Sequence, residues 1–147
     1  MEFNLGNLKP WVTKAKKQTN AVRREAALRL FRSVVFDTPV MEGTLRGNWQ
    51  CSLMSPITGE VEKKSASQVM ADIELVLSGS HLEDDIYLRN NLPYAVVVEY
   101  GLYPNPPKGG AGKTKGGFSI KAPAGMVRKN IMRLDRIVAA AVRSQRI

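Results

Sequence analysis

Cysteine and histidine are almost missing from this sequence, which contains one residue of each type, Cys51 and His81. A single cysteine excludes a disulfide within the chain. Zinc sites need three or four cysteine, histidine or carboxylate ligands close together, so the sequence predicts no metal centre. We expect Cys51 to be a small buried thiol in a strand-like pattern, because no neighbouring pattern marks it as a nucleophile. We expect His81 to lie at the surface in the turn-like stretch SGSHLEDD.

Long apolar runs are absent as well. The sequence has no stretch of about eighteen apolar residues, so we expect no membrane-spanning helix and no membrane partner. The first residues, MEFNLGNLKPW, lack the basic start and apolar stretch of a signal peptide, and we expect none. With 147 residues, 44% of them hydrophobic, the chain fits a single domain, residues 1–147, with a core of its own.

The stretch PKGGAGKTKG resembles the end of a phosphate-binding loop through Gly112, Lys113 and Thr114. The full motif needs a glycine where this sequence has Pro107, and proline has neither the conformational freedom nor the amide donor of that position. A phosphate-binding loop also follows an apolar strand and runs directly into a helix, whose N-terminus binds the phosphates. The residues that flank this stretch predict neither element. We therefore expect no nucleotide and no other cofactor.

Acidic residues are outnumbered, with 13 against 22 basic ones, and the net charge is +9. Residues 8–36 carry eight basic side chains and one acidic one. Residues 123–147 carry six basic side chains and one acidic one. Residues 37–101 carry ten acidic side chains and four basic ones. Such opposed blocks suit contacts between subunits or a basic surface near nucleic acid, and they equally suit the solvated faces of helices. The glycine-rich stretch 102–122 predicts a flexible basic loop or arm, whose interface candidates are Lys108, Lys113 and Lys115.

One long helix is predicted over residues 8–36. Apolar and small residues recur there at spacings of three and four, which places them along one stripe: Leu8, Trp11, Ala15, Thr19, Val22, Ala26, Leu30 and Val34. The last turns add Leu28, Phe31 and Val35 on the side away from this stripe. Either a sheet and another helix cover the two sides, or a second subunit covers the outer one, which makes these three residues interface candidates. Pro39 predicts that the helix stops near Phe36.

The middle of the chain, residues 44–100, predicts a small antiparallel sheet. Residues 49–53 alternate with Trp49, Cys51 and Leu53 on one face, and residues 69–77 alternate as well. The stretch DDIYLRNN is a third strand candidate. LPYAVVVEYG is ambiguous between helix and strand, and its three valines favour a strand. Glu99 inside it needs a partner if it is buried, and either Arg46 or Arg89 could be that partner, with Arg46 our choice.

A second helix is predicted from Pro123 to residue 145, since proline is favoured in a first turn. The fold class is therefore α+β: a long N-terminal helix and a C-terminal helix packed on a small antiparallel β-sheet of three to four strands, with a long mobile loop.

Three stretches of the sequence, taken in order, resemble a protein family. TPVMEGTLRGNW is similar to the signature Thr-Pro-Val-x-x-Gly-x-Leu-Arg-x-x-Trp of the small neck, head–tail joining and tail-completion proteins of tailed bacteriophages. NNLPYAVVVEYG resembles the Asn-x-x-x-Tyr-Ala-x-x-x-Glu-x-Gly segment of that family, and APAGMVRKNI resembles its closing helix start. Two positions depart from the family pattern, because Met41 replaces a common aspartate and Asn48 a common serine.

The residues of these stretches are structural or interface candidates, with none in a catalytic role. Residues 38–49 form a turn-rich segment after the helix, which we call the connector. We expect Gly43 to allow its turn and Trp49 to anchor it in the core. We expect Arg46 to pair with a carboxylate and Gly101 to mark the point where the chain enters the loop. The remaining candidates from the same stretches are Pro39, Tyr94 and Glu99.

The resemblance implies a virion protein, made in the host cytoplasm, that forms a homo-oligomeric ring of six or twelve copies at the head–tail junction or the proximal tail end. It also implies contacts with other connector, portal-side or tail proteins and genomic DNA passing through the lumen. The charge supports one alternative, a free basic nucleic-acid-binding protein, although its aromatic residues do not alternate with basic ones. A third reading is an enzyme, whose acid–base pair could be nominated from Glu83, Asp84, Asp85 and Glu99. We expect no enzyme, since acids clustered in a turn are usually solvated.

Overall fold

The longest element of the protein is helix α1 (Lys9–Asp37). The computed structural model describes residues 8–40, 42–101, 114–115 and 118–145. At 29 residues, α1 is about 43 Å long. Thr38, the residue before Pro39, has extended backbone angles and ends the helix, as the proline predicts. The predicted helix over residues 8–36 is thus confirmed.

Toward its C-terminal end, α1 faces the core with the residues that we placed away from the stripe and also with Leu30 and Val34 of the stripe. Phe31, Val34 and Val35 are buried, and Leu28 packs against the same cluster. Of the predicted stripe, Val34 alone is fully buried, while Trp11 keeps 67% of its surface exposed. The chain's own elements bury Phe31 and Val35 and partly cover Leu28, which is the first of the two alternatives predicted for this side; a second subunit is not needed to cover it.

Two strands form the antiparallel pair next to α1. β1 (Trp49–Leu53) and β2 (Ile86–Asn90) pair from Trp49 opposite Asn90 to Leu53 opposite Ile86. Trp49 and Cys51 are buried, as the alternation predicts. Both strands were expected from the sequence.

Between these strands lies a helix, α2 (Ala66–Ser78), where we predicted a strand over residues 69–77. Val69, Ile73 and Leu77 are buried at a spacing of four, which fits one side of a helix as well as it fits one face of a strand. The deciding local signal was the Ser65–Gln68 capping box, whose side chain and backbone groups bond reciprocally.

The valine-rich stretch is also helical. α3 (Ala95–Tyr100) ends at Gly101, which adopts a left-handed conformation with φ 68° and donates its N–H to the carbonyl of Val97. A left-handed glycine after the last turn is a common helix end. The strand favoured for this stretch is therefore wrong, and Gly101 ends a helix instead.

The rest of the chain forms short elements and a final helix. β3 (Thr114–Lys115) pairs with β4 (Phe118–Ser119), and two helices follow, α4 (Val127–Ile131) and α5 (Leu134–Ser144). The single helix predicted from Pro123 to residue 145 is thus divided at residues 132–133 and begins four residues later than expected. Most of the predicted loop 102–122, with Lys108 and Lys113, lies outside the described residues.

The fold is α+β, and the described residues contain two separate two-stranded antiparallel pairs, β1–β2 and β3–β4, in place of the predicted single sheet of three to four strands. α1 packs against α5 and α2, and α2 packs against β1. Trp49, Ile73, Leu92 and Met126 belong to the core that these elements enclose with α1. None of the helices in the described ranges is long and apolar enough to cross a lipid bilayer.

Candidate functional site

The end of α1 is fastened by three residues of the first sequence signature. The hydroxyl of Thr38 donates to the carbonyl of Val34 at 2.7 Å and accepts from the indole Nε1 of Trp49 at 2.8 Å. Thr38 and Trp49 are both buried. Because both polar groups are satisfied, the connector after α1 is held against the core at little desolvation cost.

Arg46 is the third residue that holds the end of α1. Its guanidinium donates to the carbonyls of Phe36 and Thr38, each at 2.9 Å, and lies over the Phe36 ring. A cation next to the last carbonyls of a helix is favourable, since those carbonyls carry partial negative charge. The predicted pairing of Arg46 with Glu99 is therefore wrong: Arg46 caps α1, and the carboxylate has other partners.

Asn48 is one of the two positions at which the sequence departs from the pattern that it resembles, and it has a structural role of its own. It is fully buried, donates its amide to the carbonyl of Thr44 at 2.9 Å and accepts from the N–H of Val61 at 3.0 Å. The side chain thus ties the long polar loop before α2 to the connector. Gly43 has φ 81°, which confirms the turn expected there.

Glu99 joins the second and third sequence segments. Its carboxylate accepts hydrogen bonds from the backbone N–H groups of Met126, Val127 and Arg128, at the start of α4. The Arg128 side chain adds an ion pair at 3.1 Å and a cation–π contact with Tyr100. A carboxylate at a helix start satisfies amides that have no partner within the helix. Glu99 is buried, so these contacts are what make its charge tolerable.

The environment of Glu99 changes its pKa in two opposing ways. Burial raises the pKa, and the hydrogen bonds from Arg128, Val127 and Met126 together with the Arg128 side chain lower it. The lowering contributions prevail, so the pKa lies below the ordinary value and Glu99 is ionised at neutral pH. Such a carboxylate is a structural anion and a poor general base.

Gly125 lies directly against this carboxylate. It has φ 75°, and a Cβ atom built on it would stand 2.4 Å from Oε1 of Glu99. Both the backbone angle and the space exclude a side chain there. This contact gives the Pro-x-Gly part of the third segment a physical reason, which the sequence alone did not supply.

A surface groove of about 400 Å³ lies beside the connector. Apolar residues from the first and second segments form much of its wall. Two of its lining residues carry charge, Glu42 and Lys121. The lining residues are Pro39, Glu42, Gly43, Thr44, Leu45, Tyr94, Val97, Val98, Ser119 and Lys121. The groove therefore brings the predicted candidates Pro39, Gly43 and Tyr94 together without a catalytic constellation.

The most unusual surface is the first part of α1, residues 8–19, which we call the projection. Every residue in it is exposed except Ala15, which is half-buried. Its side-chain hydrogen bonds among the described residues run to its own backbone, as from Thr19 to Ala15. Among the described residues, the first side-chain hydrogen bond from α1 to the body comes at Asn20, whose amide donates to the carbonyl of Ser80. About 18 Å of helix thus extends beyond the folded core.

The projection is both apolar and basic. Leu8, Trp11, Val12 and Ala15 follow one another at helical spacing on one side. The projection contains no acidic residue, and its four lysines are Lys9, Lys14, Lys16 and Lys17. The ion pairs identified in the described structure involve none of them. Sequence reasoning assigned this stripe to the core, so it missed this surface.

Neither lone residue that could bind metal or react shows signs of doing so. Burial raises the pKa of the Cys51 thiol to about 11, which keeps it protonated. His81 is exposed, as expected. In the described ranges, no three residues of the types His, Cys, Asp and Glu are grouped so that they could hold a metal ion. The side chains of Lys108, Lys113 and Lys115 lie outside the described part of the chain.

No protein-family model, no curated protein and no solved structure matches this chain.

Proposed function

We propose that this protein is a structural subunit of a tailed bacteriophage, which assembles with copies of itself into a ring at the head–tail junction. In this role, as a neck or tail-completion protein, it joins the tail to the head and surrounds the path of the DNA. The ordered resemblance of three sequence segments supports the assignment to phages. The contacts of Thr38, Arg46, Trp49, Glu99 and Gly125 give several of the characteristic positions of those segments a structural purpose.

The observation that carries the proposal is the exposed projection of α1. Fully burying a side chain such as leucine stabilises a protein by about 1.5–3 kcal/mol, and leaving Leu8, Trp11 and Val12 in water forgoes that gain. Short helices also draw most of their stability from packing on other elements. A helix half that is apolar, basic and unsupported is therefore best explained as a surface for another component of an assembly.

The groove beside the connector offers a second surface for such contacts. A head-to-tail interface, in which different surfaces of two copies meet, closes into a ring when the rotation between copies allows it. We propose six or twelve copies, with portal-side or tail proteins as the neighbours above and below. The basic helices would face the DNA through phosphate contacts that carry no sequence preference.

No chemical step belongs to this proposal. Glu99 is engaged by three amides and Arg128, and Cys51 is protonated, so neither group is poised for catalysis. The protein would be made in the host cytoplasm and would act in the virion.

Deleting the gene from its phage tests the proposal. We expect filled heads that lie apart from complete tails in electron micrographs, with infectivity restored by the gene supplied in trans. We also expect the protein in purified wild-type particles by mass spectrometry. Normal infectious particles from the deletion strain would overturn the proposal.

The second candidate function, a free nucleic-acid-binding protein, is favoured by the four lysines of the projection. Titration with duplex DNA at increasing salt separates the two. A dedicated DNA-binding protein binds tightly with a steep salt dependence, whereas a ring subunit binds weakly as a single copy. Tight binding by the purified protein together with normal particles from the deletion strain would favour this second function.

A further inference from the structure

We propose that the free protein pairs with a second copy of itself through α1, with the two projections lying antiparallel. This inference goes beyond the proposed function and does not depend on it. It concerns what covers the projection before any other partner is present.

The apolar stripe of α1 is complementary to itself in this arrangement. When two α1 helices cross antiparallel near Lys17, Leu8 of one copy lies opposite Ala26 of the other. In the same register Val12 lies opposite Val22, and Ala15 lies opposite Thr19. Leu8 thus meets a smaller side chain and Val12 a β-branched one, which lets two helices approach closely at these positions. A two-fold contact of this kind uses the same surface on both copies.

Charge supports the same partner. The loop at the base of the projection, residues 80–85, carries the exposed acids Glu83 and Asp85. Neither takes part in the ion pairs identified among the described residues. Arg23 donates to the carbonyls of His81 and Asp84 and so holds this loop against α1.

Two of the four lysines of the projection, Lys9 and Lys16, lie on the side that this loop occupies. Lys9, Lys16 and Arg23 are spaced by seven residues, so they follow one line along α1. A two-fold axis perpendicular to both antiparallel helices keeps that line on the same side in both copies. The basic end of each projection therefore lies beside the acidic loop of the other copy, as electrostatic complementarity requires.

This pair cannot itself form a ring, because a two-fold contact is closed. If the chain enters a ring, the pair has to open and free both projections for their next partner. The pairing would thus keep an exposed tryptophan covered in the free protein.

Sedimentation of the purified protein tests the pairing. We expect a dimer at about 100 µM, well above a Kd of about 1 µM. Trp11→Ser should raise the Kd about 1000-fold, because each pair loses two tryptophans and each is worth about 30-fold. Leu75→Ser is the matched control, since Leu75 is 74% exposed on α2, away from the stripe, and its loss should leave the dimer intact.

Charge reversal gives a second, independent test. Lys9→Glu with Lys16→Glu in one variant, and Glu83→Lys with Asp85→Lys in another, should each give monomers with unchanged circular dichroism. An equimolar mixture of the two variants should form mixed dimers, because every facing charge is then opposite again. A monomeric wild-type protein at 100 µM, a dimer insensitive to Trp11→Ser, or a mixture that stays monomeric would overturn the pairing. So would charge variants that lose only salt-sensitive binding to duplex DNA.

Discussion

At the scale of single residues, Glu99 is the side chain on which the C-terminal third of the fold depends. It is buried and bonds to three successive amides and one guanidinium. A group with this many partners leaves several donors unsatisfied when it is removed, and each of them then bears its own desolvation cost.

Glu99→Gln should lower the free energy of unfolding by about 3 kcal/mol, since the charge that attracts the amides and Arg128 is lost. Urea denaturation followed by circular dichroism measures this loss. Glu74→Gln, at an exposed position of α2, is the control and should change stability by less than about 0.5 kcal/mol. Equal effects of the two variants would show that the Glu99 contacts contribute no particular stability.

Glu99 also predicts a pH dependence. Its pKa in the folded state lies below the ordinary value of 4.5, so the unfolded chain binds this proton more readily. The stability that ionised Glu99 contributes is complete above the ordinary value of 4.5 and is lost as the pH falls through the pKa of Glu99 in the folded state. Urea midpoints measured from pH 7 downward should fall more steeply for the wild type than for Glu99→Gln. Parallel curves would contradict the lowered pKa.

Gly125 allows a sharper test, because the chain contains a matched glycine. Gly125→Ala adds a Cβ atom to a residue at φ 75° and places it against the Glu99 carboxylate. Gly59→Ala adds the same atom at φ 92° with no neighbour within 4 Å. Gly59→Ala should cost about 1 kcal/mol from backbone strain alone, and Gly125→Ala at least about 2 kcal/mol more. Similar unfolding midpoints for the two variants would refute the close contact.

At the scale of elements, α2 shows that a cap can decide between helix and strand. Its buried residues fit both periods, and the local preference of Ser65 and Gln68 for a helix start tips the balance. α3 is similar, since Gly101 ends a helix despite the valines before it. In both cases a residue that flanks the element, Ser65 before α2 and Gly101 after α3, is a local signal of a helix.

Ser65→Ala should therefore destabilise the protein by about 1 kcal/mol, because the amide of Gln68 loses its acceptor. Ser67→Ala, on the exposed side of the same helix, should be neutral or slightly stabilising, since alanine is the better helix former. Thermal unfolding of both variants measures the difference. If both changed the melting temperature alike, the capping box would be irrelevant to stability.

At the scale of the whole molecule, the fold leaves one end of its longest helix outside the core. The body encloses Phe31, Val34 and Val35, while no residue of the projection, residues 8–19, belongs to the core cluster identified among the described residues. The same body buries Cys51, on β1, as a member of the core, so its chemistry reports on opening of the whole fold.

Cys51 should react slowly with a thiol reagent at pH 8 in the native protein. With a pKa of about 11, only about one thiol in a thousand is ionised there, and burial limits access further. The rate should rise sharply in denaturing urea, where the ordinary value of 9.0 applies. Rapid labelling of the native protein would contradict a buried, protonated thiol.

The sequence by itself determined the long helix, its end at Pro39, the strands at 49–53 and 86–90, the buried thiol and the turn at Gly43. These features follow from local rules, since proline fixes the backbone and alternation marks a half-buried strand. Tertiary structure alone decided which side of α1 faces the core. It also paired Glu99 with the amides at the start of α4 and Arg46 with the carbonyls at the end of α1. It also left Trp11 in solvent. The physical reason is that α1 has apolar residues on two sides, and only packing against α2, α4 and α5 selects one of them.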